Sequence, residues 1–281
     1  MLRLGIRGHD MEKVPFEQLV ENISKKGFCC TQLALKKAIS EFNVSREAMT
    51  PGMALYMKKL FAKNDVDVAV LGCYLNLGNP DADQLREITK NYEAHIRFAS
   101  LLGCGMVGTE TGAVNTEYKY EEANHSDEAL EIFINNLRPV VEYAEKMGVI
   151  MAVEPVYKHI MCDIKRTRKV LDAINSPNLR VIFDPVNVMS LDNYKNQDEI
   201  IKEAFDLIGE EIAVLHIKDF TVKDGQIVSR PLTVGEGMLN IPLVMKLVKE
   251  HKPFMHVLLE DSVPENALVS KAYIEKVYEE A

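Results

Sequence analysis

The chain has 281 residues, 47% of them hydrophobic, and its 42 acidic and 33 basic residues give a net charge of −9. This composition permits one large core, and the acidic balance argues against a general binder of nucleic acid or anionic membranes. With no linker-like segment, no run near the roughly 18 apolar residues of a membrane span, and five cysteines without CxxC spacing, the sequence predicts a single cytoplasmic domain, residues 1–281.

Short apolar runs rich in β-branched residues alternate along the chain with longer amphipathic segments. The apolar runs predict buried strands, and the amphipathic segments predict helices. The predicted strands cover residues 2–8, 29–35, 66–76, 106–112, 149–156, 179–187, 212–220 and 254–261. The predicted helices cover residues 15–27, 48–64, 81–102, 126–146, 164–174, 198–208 and 242–250, and a last helix ends the chain.

Strict alternation of strand and helix predicts parallel strands joined by helical crossovers. Eight such units at this length most economically close into a (β/α)8 TIM barrel, an α/β fold. A doubly wound open sheet is the alternative. That fold needs a phosphate-binding glycine loop after the first strand, and the segment GIRGHD at residues 5–10 lacks the GxGxxG spacing.

The fifth predicted strand, VIMAVEPV at residues 149–156, ends in a carboxylate. Pro155 cannot donate to a sheet ladder, so Glu154 is expected where the strand meets its loop. Burial of an isolated carboxylate is costly, so Glu154 requires a nearby cation. The same pattern of an apolar run and then a polar residue recurs at Asp184, His216 and Glu260. In a barrel these four strand ends share one rim, and the four side chains should converge.

Three carboxylates and one imidazole form a donor set suited to one divalent ion, Mn²⁺, Mg²⁺, Co²⁺ or Zn²⁺, with positions left open for substrate oxygens. Each residue alone has a simpler interpretation. Glu154 could pair with a rim lysine or arginine, and His216 could be a hydrogen-bonded core histidine. Four such residues at four successive strand ends favour a shared metal site formed by Glu154, Asp184, His216 and Glu260.

Polar residues next to these four are candidates for substrate binding. Asn187 follows Asp184 by three positions, and Lys218 follows His216 by one strand period, so it can also point into the barrel. Lys218 would contact either a substrate oxygen or a metal-ligand carboxylate. Arg230 would either clamp substrate or lie solvated in its loop.

Two features near Lys218 have more structural interpretations. Asp219 should point away from the barrel interior and act structurally. The GEG segment at residues 235–237 could cradle a phosphate, although such glycines more often serve a tight turn.

Strand ends in the first half of the chain supply further pocket candidates. His9 follows the first strand, Tyr74 lies near the end of the third, and Glu110 ends an apolar run in the fourth. We expect them to face the same rim and to contact substrate. Glu110 repeats the apolar-run-then-acid pattern, and an ion pair or a supporting role is its alternative.

The motifs VEP, FDPVN, LHIKD followed by VGEG, and LLED occur in this order, each at a strand end. With them the whole chain resembles the xylose isomerase-like TIM-barrel superfamily, especially sugar phosphate isomerase/epimerase and ketose 3-epimerase proteins. The resemblance implies one catalytic divalent cation held by the four strand-end residues, with Glu154 and Glu260 as the acid/base pair. Barrels of this kind often pair through their rim loops, so a homodimer is the oligomer that the resemblance suggests.

The implied activity is metal-dependent isomerisation or epimerisation of a small sugar, sugar phosphate or polyol through an enediolate. A lyase of the inosose dehydratase type and a non-catalytic sugar-binding barrel are the alternatives. Asn187 stands where epimerases of this group usually have a histidine, which weakens the inferred substrate contact. Endonuclease IV shares the barrel but needs that histidine and an Asp-x-His pair, where this chain has Ser229, Arg230 and Pro231. A DNA repair nuclease is therefore not expected.

Overall fold

A computed structural model describes residues 2–281 of the chain. Its strands are β1 (Arg3–Arg7), β2 (Cys30–Leu33), β3 (Asp67–Gly72), β4 (Met106–Glu110), β5 (Ile150–Glu154), β6 (Leu179–Phe183), β7 (Ile212–Ile217), β8 (Thr221–Lys223), β9 (Gln226–Val228) and β10 (His256–Leu259). Its helices are α1 (Phe16–Lys25), α2 (Leu35–Ala38), α3 (Pro51–Lys63), α4 (Ala82–Leu102), α5 (Asp127–Met147), α6 (Ile164–Ile174), α7 (Gln197–Ile208), α8 (Ile241–His251) and α9 (Ala267–Glu280).

Eight of these strands form a closed parallel barrel in the order β1, β10, β7, β6, β5, β4, β3, β2. The barrel closes because β1 pairs with both β2 and β10. Helices flank the strands, as the alternation of the sequence predicts. The prediction of a single-domain (β/α)8 TIM barrel is therefore confirmed.

The barrel interior is filled by small and branched side chains from the strands. They form one cluster, made of Cys30, Ala69, Val70, Met106, Ala152, Ile182, Val214 and Leu258. Gly5 of β1 faces this cluster so closely that a Cβ atom there would lie 2.2 Å from the carbonyl oxygen of Cys30. Close packing inside the barrel therefore requires glycine at this position.

The loop after β7 contains a short antiparallel hairpin, β8–β9, which lies outside the predicted strands. Its turn residues Asp224 and Gly225 both have positive φ angles, 51° and 70°. An Asp-Gly pair favours this kind of two-residue hairpin turn. The Asp224-Gly225 turn pair was therefore visible in the sequence, but the polar residues on either side of it did not form recognisable strands.

Predicted strands 66–76 and 106–112 are longer than the observed β3 and β4. Tyr74 consequently lies two residues beyond the end of β3, in the loop above the barrel. Among residues 2–281, no helix combines the length and the apolarity that crossing a membrane requires.

Candidate metal centre

Four polar residues meet at the carboxyl-terminal rim of the barrel. Glu154 is the last residue of β5, Asp184 follows β6, His216 lies near the end of β7, and Glu260 follows β10. These strands are consecutive neighbours in the barrel. One potential ligand atom from each residue lies within 4.8 Å of the others, and all four residues are buried. The predicted convergence is therefore observed.

The imidazole of His216 lies between two of the carboxylates. Its Nδ1 atom is 3.1 Å from Glu154 Oε1 and 2.6 Å from Glu260 Oε2. Complete burial by itself lowers the pKa of His216, but Glu154 and Glu260 together outweigh burial and raise this pKa to about 10. Without a metal, a proton on His216 thus supplies positive charge between the carboxylates.

A second positive charge comes from Lys218, which is 5% exposed. Its Nζ atom lies 3.1 Å from Asp184 Oδ2 and 2.8 Å from Glu260 Oε1, and it donates to Asn187 Oδ1 at 2.7 Å. Burial opposes its charge, yet Asp184 and Glu260 raise the pKa of Lys218 above its ordinary value. Of the two roles predicted for Lys218, the observed contacts are those of a partner for the carboxylates.

The donor set fits a divalent cation. Asp184 Oδ1 accepts hydrogen bonds from the backbone N–H groups of Val186 and Asn187 at 2.7 and 3.2 Å. The buried Asp184 Oδ2 atom has the ion-pair contact with Lys218 Nζ at 3.1 Å, but among residues 2–281 no donor makes a well-aligned hydrogen bond to it. A buried carboxylate oxygen without a well-aligned hydrogen bond, beside two more carboxylates and an imidazole, suits a hard or borderline metal ion.

The other half of the rim forms a polar cavity of about 260 Å³ in front of Glu154 and Glu260. The predicted pocket residues His9, Tyr74 and Glu110 all line it. Burial, followed by the charges of Glu154 and Glu260, raises the pKa of Glu110 to about 7. Three candidates from distant parts of the chain therefore share one cavity with the predicted acid/base pair.

The sequence matches the family model described as "Xylose isomerase-like TIM barrel" over residues 20–275. The chain belongs to this family. A comparison with curated proteins finds no significantly similar sequence.

Solved structures with the same fold differ widely in sequence from this xylose isomerase-like barrel. A D-tagatose 3-epimerase-like protein is 19% identical with a TM-score of 0.77, covering 99% of this chain and 97% of its own. The IOLI protein with a binding zinc atom is 16% identical with a TM-score of 0.75, covering 99% of both chains. D-psicose 3-epimerase from Clostridium cellulolyticum H10 is 14% identical with a TM-score of 0.72, again covering 99% of both. At these identities the likeness shows the fold alone.

Two residues of the rim, Gln32 and Arg7, were not predicted from the sequence. Gln32 on β2 lies with its Oε1 atom 2.7 Å from His216 Nε2, and its amide donates to the Tyr74 hydroxyl at 2.5 Å. Arg7 on β1 contacts Glu260 at 3.1 Å and Asp261 at 2.9 Å. Neither residue follows an apolar run, so the strand-end pattern could not single it out. Strand parity was the available signal for Arg7, which lies two residues after Gly5 on the inner face.

The remaining predicted residues take clear positions in this barrel. Asn187 donates to Glu154 Oε1 at 2.8 Å. Arg230 is half-exposed and pairs with Asp10 at 3.3 Å, so its contact with substrate stays a prediction.

Asp219 acts structurally, as predicted. Its side chain accepts hydrogen bonds from four backbone N–H groups, those of Phe220, Gly235, Gly237 and Leu239. The N–H groups of both glycines of the GEG segment are thus occupied by Asp219, and the N–H of Glu236 donates to Thr233 O at 3.1 Å. The tight-turn interpretation of these glycines is the one that the contacts support.

Proposed function

We propose that this protein is a divalent-metal-dependent isomerase or epimerase of a small sugar or polyol. The observation that carries the proposal is the buried group of Glu154, Asp184, His216 and Glu260, whose ligand atoms lie within 4.8 Å of one another. Burying three carboxylates together is costly unless positive charge compensates them. A function that uses a cation explains why the chain places them at one rim.

Glu154, Asp184, His216 and Glu260 would hold the cation. When bound, it would supply positive charge beside the substrate's carbonyl oxygen and a neighbouring hydroxyl, which favours loss of a carbon-bound proton. Its identity among Mn²⁺, Mg²⁺, Co²⁺ and Zn²⁺ is left to the experiment below.

Glu154 and Glu260 would move the proton. Both line the cavity of about 260 Å³ described above, called the smaller cavity below, so both face the place where a substrate would bind. Burial works against ionisation of Glu260, but Lys218, Arg7 and His216 hold its pKa well below the ordinary value. Glu260 is therefore ionised near neutral pH, as a base must be. One glutamate removes the proton from carbon and the other returns one on the opposite face, which inverts the centre.

The other cavity residues would bind and orient the substrate. His9, Tyr74 and Glu110 are assigned to the substrate hydroxyls in the smaller cavity. Asn187 and Lys218 contact the candidate metal ligands, and Arg230 at the rim is a peripheral substrate contact. Each assignment is tested by the effect of its substitution on KM and kcat separately.

Metal content of the purified protein tests the proposal first. We expect about one divalent ion per chain, lost in Asp184→Ala and retained in the control Asp206→Ala, whose side chain is exposed. The metal-loaded protein should exchange a carbon-bound proton of a ketose or inosose with deuterated water. Loss of water from the product, seen as a change in mass, would identify a lyase instead. No bound metal, and no shift of the melting temperature with any divalent ion, would leave a non-catalytic barrel.

A further inference from the structure

A second cavity, of about 470 Å³, lies on the other side of the metal centre from the smaller cavity. A row of hydrogen-bonded side chains lies between them and borders both. Asn187 donates to Glu154 at 2.8 Å and accepts from Lys218 at 2.7 Å, and Lys218 donates to Glu260 at 2.8 Å. Glu154 and Glu260, at the two ends of this row, line the smaller cavity. Asn187 and Lys218, in its middle, line the larger one. A ligand bound at the row therefore has space on both sides.

The larger cavity is built by the four loops that follow β5, β6, β7 and β10. The β8–β9 hairpin contributes Gln226 and Ile227 to its lining, and Ser229 just after the hairpin donates to Asp261 Oδ2 at 2.6 Å. On the opposite side, the backbone N–H of Tyr157 donates to Asn187 O at 2.7 Å. His125 Nε2 lies 2.7 Å from Tyr157 O. These contacts fix the walls of the cavity relative to the metal centre.

The charges in this cavity balance. Its charged lining residues are Lys158, Lys218, Asp192 and Asp261. Lys218 is already paired with the carboxylates of the metal centre. The glycine segment that could have bound a phosphate donates instead to Asp219. The lining therefore offers no excess positive charge to an anionic group.

The rest of the lining suits an uncharged group rich in hydroxyls. Polar side chains such as Ser190, Gln226 and Ser229 alternate with apolar ones such as Val156, Met189 and Ile227, and Tyr157 supplies an aromatic ring. Such a mixture binds a compact molecule with hydroxyl edges and weakly polar C–H faces, which describes a sugar ring. Ligand pockets usually occupy about 300–1,000 Å³. The larger cavity, of about 470 Å³, lies within this range, whereas the smaller cavity, of about 260 Å³, has room for no more than one small sugar.

From this arrangement we infer that the larger cavity binds an uncharged glycosyl unit, and that the substrate is a disaccharide or related glycoside whose reacting sugar lies at the metal centre. The inference rests on the proposed function and narrows its substrate class. Tyr157 and Gln226 become specificity-determining residues, because they contact only the unit that does not react.

Binding measured on the Mn²⁺-loaded protein tests this assignment. The D-ketohexoses are titrated by calorimetry beside glucosyl-fructoses of different linkage that retain a free keto group, namely turanose, maltulose, leucrose and isomaltulose. We expect at least one disaccharide to bind about tenfold more tightly than any free ketohexose. Tyr157→Ala and Gln226→Ala should abolish that advantage and leave ketohexose affinity within about twofold.

Tyr120→Ala is the matched control. Tyr120 and Tyr157 both contact the ring of His125, but only Tyr157 lines the cavity. An equal effect of the two tyrosine substitutions would overturn the inference. Gln226 is exposed on its hairpin, so Gln226→Ala keeps the test valid if Tyr157→Ala unfolds.

Other outcomes separate the inference from the function on which it rests. Ketohexose binding with no disaccharide preference would overturn the glycosyl subsite and leave the proposed function standing. Tighter binding of fructose 6-phosphate than of every disaccharide would overturn it in favour of an anionic substituent. If neither ketohexoses nor disaccharides bind the Mn²⁺-loaded protein, the proposed function and the inference fail together.

Discussion

The two halves of the carboxyl-terminal rim use the same kinds of side chain differently. In the half formed by β5, β6, β7 and β10, His216 lies between carboxylates, which overcome its burial and raise its pKa to about 10. In the half formed by β1 to β4, burial first, and then Arg7 and Lys37, lower the pKa of His9 to about 3. Burial lowers the pKa of both histidines, and the neighbouring charges decide the outcome: two carboxylates keep His216 protonated, whereas Arg7 and Lys37 act with burial to keep His9 neutral.

The largest expected effect is on kcat, and it should differ between two glutamates that are paired across neighbouring strands, Glu110 and Glu154. Glu154→Gln and Glu260→Gln should each lower kcat by about 10³-fold, because the amide cannot exchange a proton. Glu110→Gln is the control, since it keeps the hydrogen bonds of a hydroxyl-binding group, and it should cost no more than about tenfold. Steady-state kinetics on the three variants measures this, and near-normal turnover in Glu154→Gln or Glu260→Gln would contradict the acid/base assignment.

The buried positive charge of Lys218 gives the next largest effect. Lys218→Met leaves Asp184 and Glu260 without this partner, so the free energy of unfolding of the metal-free protein should fall by about 3 kcal/mol. Adding Mn²⁺ should recover part of the loss, because a cation compensates the same carboxylates. Urea unfolding with EDTA and with Mn²⁺ measures both values. The control is Lys37→Met, at an exposed position in the other half, which should change the free energy of unfolding by less than about 0.5 kcal/mol. An equal loss in both variants would show that the buried position of Lys218 is not the cause.

His9 should make the other half sensitive to acid. Since its pKa is about 3 in the folded protein and near 6.5 in the unfolded chain, the unfolded state binds more protons between these values. The contribution of neutral His9 to the free energy of unfolding is therefore fully present above pH 6.5. It is lost as the pH falls, by about 2 kcal/mol between pH 7 and pH 5. Urea unfolding of wild type and His9→Asn at both pH values should show the wild type losing this much relative to the variant. Parallel losses in the two proteins would disprove it.

The smallest predicted effect lies where the two halves touch. Gln32 on β2 orients His216 through a 2.7 Å contact to Nε2. Gln32→Met removes that contact, and metal affinity should fall about tenfold, as usual for partners of a ligating histidine. Competition with a fluorescent chelator measures the change. Tyr74→Phe, which removes only the hydroxyl bonded to Gln32, should have a smaller effect; unchanged affinity in Gln32→Met would show that His216 needs no such support.

The sequence alone determined the barrel and the four residues of the candidate metal centre. Local apolar runs in the sequence predict buried parallel strands, and a carboxylate at the end of such a run is also a local feature of the sequence. Pro155 next to Glu154 marked the strand end, and β5 ends at Glu154 as expected. The rule that parallel strand ends share one rim then brought Asp184, His216 and Glu260 together without further information.

Only the tertiary structure decided which groups complete the centre. Gln32 and His216 are 184 residues apart, and Arg7 reaches Asp261 across 254 residues, so no local pattern records either contact. The two roles of Lys218 also stayed open until its distances to Asp184 and Glu260 were known. A cavity is the space left between loops from several strands. Its size and charge balance depend on how those loops pack, whereas strands and their ends depend mainly on short-range sequence.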